Sequence, residues 1–148
     1  MKRFTRTRPA LILAEEMVRA HEELVSEVYT ELSLPENGER FSFYQNMEPG
    51  ALKWYINILY NHLLTSVRHG DRSIMITFSR NLSSRRMKDH ESVEELCGAV
   101  AVSREIITKG LSNNSKLTDM KLLVHDYITL AIQLAMDEVK DIYENIPQ

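Results

Sequence analysis

Apolar side chains recur along this chain at steps of three and four residues, the period of a helix with one buried face. The first stripe runs Leu11, Ala14, Met17, Val18, His21, Leu24, Val25, Val28 and Leu32. Glu15, Glu16, Arg19, Glu22, Glu23 and Glu27 fall opposite it. Pro9 suits the first turn of that helix, and Pro35-Glu36-Asn37-Gly38 is turn chemistry that closes it. Phe41, Phe43 and Tyr44 alternate over a stretch too short to separate strand from helix. A lone strand has no partner, so this stretch predicts an irregular connection that packs aromatics on the core.

Four more stripes follow. Leu52, Tyr55, Ile56, Leu59, Leu63 and Val67 make a helix that starts near Glu48-Pro49 and ends at Gly70. Asp71 is placed to cap the next helix, which carries Ile74, Met75, Phe78 and Leu82 and turns basic at Arg80, Arg85, Arg86 and Lys88. Basic residues near a C-terminal end suit the helix dipole. Ser92-Val93-Glu94-Glu95 reads as a capping box before the stripe Val93, Leu96, Cys97, Val100, Ile107 and Leu111, closed by Gly110 and Ser112-Asn113-Asn114-Ser115. Ser115 or Thr118 then caps the last helix, predicted to be the longest, with Met120, Leu123, Val124, Tyr127, Ile128, Ala131, Leu134, Ala135 and Ile142 apolar. It is uncharged from Tyr127 to Met136, which predicts burial on more than one side. The pattern defines an all-α, single-domain bundle of about five helices over residues 1–148, globin-like or four-helix-bundle-like, with a long C-terminal helix.

Composition narrows the function classes. The chain has 148 residues, enough for one core, and is 43% hydrophobic and 26% charged, which fits a globular domain. Residues 1–8 form a short tail carrying four positive charges, while the whole chain nets -3. That balance argues against nucleic acid as the partner. The basic cluster on the third stripe lacks interleaved aromatics and reads as a solvated face. The longest uncharged stretch of the first half, Trp54 to Val67, is too short and too polar for a membrane span. With no apolar leader at the N-terminus, the expected location is the cytoplasm.

Chemistry is sparse. No glycine-rich phosphate loop, His-Glu-x-x-His or Glu-x-x-His pair occurs. Cys97, the single cysteine, lies on an apolar stripe and is expected to act as a small buried hydrophobe. His62 and His69 share a helix face but stand about 10 Å apart along it, too far to chelate one ion. No metal and no cofactor is therefore assigned. His62 and His125 stay open as single axial ligands of a haem, against the plainer reading as ordinary polar side chains. Arg104 starts beside an apolar face, four residues after Val100 and three before Ile107. It needs an anion, either Asp126 or Asp137 of the last helix or an outside ligand. Arg104, His62 and His125 are the candidate ligand-binding residues, and no catalytic set can be assembled.

The second half carries a resemblance. Phe78 to Arg86, His90-Glu91-Ser92-Val93-Glu94-Glu95-Leu96, Val102-Ser103-Arg104-Glu105-Ile106-Ile107 and the last helix come in an order that resembles the N-terminal sensor domain of RsbR-type stressosome proteins and of some bacterial histidine kinases. The match spans residues 74 to 145 and rests on soft patterns. It departs at His90 and Glu91, where that family often has glycine and an apolar or aromatic residue. The resemblance implies a non-enzymatic bacterial signalling or regulatory domain. It implies a homodimer that senses a ligand or a signalling protein partner and transmits through its last helix. A haem or small-ligand carrier and a helical adaptor are the alternatives.

Overall fold

The computed structural model describes residues 8–145. All regular elements among them are helical. The basic tail lies outside the described residues except for Arg8, where the first helix begins. The elements are α1 (Arg8–Ser33), α2 (Ser42–Gln45), α3 (Pro49–His69), α4 (Ser73–Lys88), α5 (Val93–Ser112), α6 (Lys121–Val124) and α7 (Leu130–Glu144). A π-helical turn, His125–Thr129, joins α6 to α7, so that the last helix is one run with a widened middle. No helix among the described residues is long and apolar enough to cross a membrane.

α1 packs on α3 and α5, while α4 packs on α7 and α3. The shared core holds Leu13, Met17, Val28, Phe41, Leu63, Met75, Leu96, Ile107, Leu117, Ile128 and Ile132, all essentially inaccessible. Each such large side chain contributes about 1.5–3 kcal/mol relative to exposure. Gly110 lies inside α5, not beyond it, because a Cβ there would press on Leu24 of α1. It is a close-approach glycine, and α5 runs on to Ser112.

Several expectations are corrected. Leu11 and Val18 belong to no buried face, and Leu13 takes their place in the core. Glu16, expected in solvent, is buried, with Arg19 at 2.7 Å and Asn114 donating to it at 3.1 Å. At 26 residues α1 is the longest helix, because the last one opens as a 3-10 stretch (Ser115–Met120) and then widens. Asn114, not Ser115 or Thr118, caps that stretch, accepting from the Lys116 amide. The uncharged middle of the last helix is buried on one side only, since Leu130 and Leu134 are exposed. The aromatic stretch after Gly38 is not wholly irregular, since Ser42–Gln45 forms a helical turn. Asp71 does accept from the Ser73 amide and hydroxyl, which lowers its pKa. Half of the predicted capping box forms. Ser92 accepts from the Glu95 amide, but the Glu95 carboxylate takes the Phe43 amide at 3.1 Å and the Ser42 hydroxyl, pinning α2 to α5.

Candidate functional site

The buried face of α4 is unusual for its polarity. It carries Met75, Ser79, Ser83 and Arg86. Ile74, Phe78 and Leu82, read from the sequence as the core side, are only half-buried. Arg86 follows Met75 by eleven residues, which is three turns and about 20° of a helix, so it points to the same interior. It is 2% exposed, the largest fully buried side chain among the described residues. The solvated-face reading therefore fails for Arg86, although it fits Arg80, Arg85 and Lys88, which are exposed.

A helix-end motif supplies its counter-charge. The Glu91 amide donates to the Arg86 carbonyl at 3.0 Å and the His90 amide to the Met87 carbonyl at 3.1 Å, a Schellman closure of α4. His90 takes the left-handed position at φ 63°. At α3 the same closure uses Gly70, with the Asp71 amide on the Ser66 carbonyl. After α4 the motif folds the chain back so that Glu91 lies over Arg86. Where such motifs often make an apolar contact, this one places a carboxylate on a guanidinium. Glu91 Oε2 is 3.4 Å from Arg86 Nε, and Asp89 Oδ2 is 3.6 Å from Arg86 Nη1.

Both charges are buried, yet neither Arg86 Nε nor either Glu91 carboxyl oxygen makes a hydrogen bond. Aromatic rings serve the guanidinium instead. Its carbon lies 3.7 Å from the centre of the Tyr55 ring, 4.9 Å from Phe43 and 5.9 Å from Tyr44. Burial pushes the Glu91 carboxyl up to about 7, against the opposing pull of Tyr44 and Arg86. Burial also raises the Tyr44 hydroxyl well above the usual tyrosine value, and raises Tyr143 to about 12. Tyr143, near the end of α7, donates to the Glu91 carbonyl at 3.2 Å.

Arg86 lines a cavity of about 40 Å³ between α3, α4 and α5. Leu52, Ile56, Leu59, Phe78, Leu82 and Leu96 form most of its wall, and Arg86 is its one charged group. Glu91 lines the outer side, a depression that also holds Glu39, Glu94 and Glu95 together with Arg40. The ion pair thus lies between an apolar interior and a charged, mainly acidic exterior. The cavity offers a desolvated cation with unused donors and a wall for an apolar tail.

The residues chosen from sequence lie elsewhere. Arg104 is half-buried and donates to Gln133 Oε1 at 2.8 Å, and Gln133 in turn donates to Asp137. Its anion is thus reached through an amide, while Asp126 uses its carbonyl to accept from Arg72. The His62 Nδ1 bonds to the Ile58 carbonyl of its own helix, and its ring lies on Phe78. His125 is exposed at the π turn. None of the three lines the cavity, and a space of about 40 Å³ is far smaller than a haem. Cys97 is buried, and burial raises its pKa. Arg86 and Glu91 were missed. The eleven-residue spacing from Met75 was the available signal. No family model, curated protein or solved structure matches this chain.

Proposed function

We propose that this chain is a non-enzymatic regulatory input domain that takes a small ligand at Arg86 and reports it through its last helix. The observation that carries the reading is a fully buried arginine, short of hydrogen-bond partners, on the wall of an apolar cavity. A buried charge of this kind weakens a fold unless something engages it.

The helix bearing that arginine is tied along its length to the last helix. Arg72 donates to the Asp126 carbonyl in the π turn at 2.9 Å, Arg80 pairs with Glu138 at 2.7 Å, and Tyr143 holds the Glu91 carbonyl. A ligand that shifts α4 therefore biases the packing of α7. The resemblance over residues 74 to 145 supports a bacterial signalling context in the cytoplasm, with a signalling protein as the downstream partner. Exposed Leu130 and Leu134, one turn apart on α7, support a homodimer through the same helix.

A native mass spectrum of the protein as purified tests both parts. The expected spectrum shows a dimer, with a small adduct retained by the native chain and lost from Arg86→Met. A monomer would overturn the dimer, and an adduct unaffected by that substitution would overturn the site.

A further inference from the structure

We propose that the cavity is a site for a short-chain monocarboxylate, whose carboxylate displaces Glu91 from Arg86 while its alkyl tail lies among the leucines. The inference rests on the ligand-sensing reading above and gives that ligand a chemical class.

Four observations converge on it. The only charge on the cavity wall is a cation, so the complementary head group is an anion. The cation is a guanidinium packed on the Tyr55 ring at 3.7 Å, with Phe43 at 4.9 Å, and aromatic packing of this kind leaves N–H donors for a planar acceptor. A carboxylate matches those donors with two parallel hydrogen bonds. Arg86 Nε has no hydrogen bond to lose, because Glu91 sits at 3.4 Å without making one. Apart from Tyr44, Tyr55 and Ser103 the remaining wall is apolar, and a single arginine there compensates one negative charge and not two, which disfavours a phosphate dianion. Size sets the tail. One water needs about 10–15 Å³ of such space, so roughly three fit, the bulk of an alkyl tail of up to about three carbons on a carboxylate that takes the place of Glu91. The cavity itself measures about 40 Å³.

Glu91 makes the exchange proton-coupled. The groups facing it are Arg86 and Asp89 at the end of α4, Tyr44 on α2, Glu95 and Cys97 on α5 and Tyr143 on α7, and Arg40 lines the same outer depression. Arg86 is the cation that pairs with Glu91, and the incoming carboxylate claims it. Glu91 must then take up a proton, because two carboxylates cannot share one buried arginine. The ligand binds as its anion, one proton enters Glu91, and no covalent bond changes.

The test is calorimetric titration of the whole chain with sodium propionate and, separately, with propionamide, its neutral counterpart of equal size. Titrations in buffers of differing ionisation enthalpy give the protons taken up. Propionate is expected to bind at least ten-fold tighter than propionamide. Its affinity is expected to fall about five-fold between pH 7 and pH 8, with close to one proton taken up per ligand at pH 8. Glu91→Gln is expected to bind tighter and to abolish both the pH dependence and the proton uptake. Propionamide binding as tightly as propionate would overturn the carboxylate assignment and leave the cavity as a ligand site. Propionate binding with no proton uptake would overturn the displacement of Glu91. Failure of both compounds to bind the native chain and Glu91→Gln would overturn this inference and the ligand-sensing reading together.

Discussion

Arg86 and Glu91 are each placed by local geometry, one by helical periodicity and the other by the turn that ends the helix. Together they leave a buried pair whose attraction is not completed by hydrogen bonds. Such pairs add little to stability, because the cost of removing both charges from water offsets their attraction. The sign of the pH effect follows from Glu91. Its carboxyl titrates at about 7 in the fold, against 4.5 when unperturbed. Between those values the folded state holds a proton that the unfolded chain has released. The contribution of Glu91 is therefore full below about pH 4.5, is lost as pH rises through 7, and is flat above. At about 1.4 kcal/mol per pKa unit, the whole swing is on the order of 3 kcal/mol. Denaturant unfolding at a series of pH values is expected to show native stability falling by about 2 kcal/mol more than that of Glu91→Gln between pH 5 and pH 8. Parallel profiles for the two proteins would show that Glu91 is not a buried, titrating carboxyl.

At the scale of elements, the end of α4 is the place where an ideal local choice was not made. His90 occupies a left-handed position that costs a non-glycine residue about 1 kcal/mol. The equivalent position after α3 is Gly70. His90→Gly is expected to raise the unfolding free energy by about 0.5–1 kcal/mol, measured by chemical denaturation, since the imidazole is exposed. A loss of stability would mean that the histidine side chain holds the turn. The same helix shows why periodicity read most of the fold and missed the site. Hydropathy located the major helices, because their buried faces are apolar and repeat at the helical period. On α4 the interior side is Met75, Ser79, Ser83 and Arg86, so a hydrophobic count finds Met75 with the half-buried Phe78 and Leu82 beside it and passes over the polar residues that are buried deepest. Arg104 drew notice for flanking an apolar stripe, but an amide on α7 was in reach to satisfy it. Glu91 was invisible for another reason. Its burial depends on the chain reversing at His90, a backbone conformation that side-chain pattern does not encode.

For the molecule as a whole, the arrangement links an interior cavity to the last helix through one intermediary. α4 carries Arg86 into the cavity, and its start, middle and following turn are held by the π turn, Glu138 and Tyr143 respectively. The π turn matters because Arg72 at the start of α4 donates to its Asp126 carbonyl, so α4 is held directly on the widened turn. The all-α bundle was legible in full from the sequence. The bonds between α4 and the last helix were not, since they join residues 52 to 58 positions apart. The most direct test is a methyl NMR titration with propionate that follows Leu52, Leu59, Leu82 and Leu96 around the cavity together with Ala131 and Ala135 on α7. Both sets are expected to shift along one saturable curve, and both are expected to stay still in Arg86→Met. Shifts at the leucines without any at the α7 alanines would leave a binding site with no transmission. Silence at the leucines would contradict the site itself.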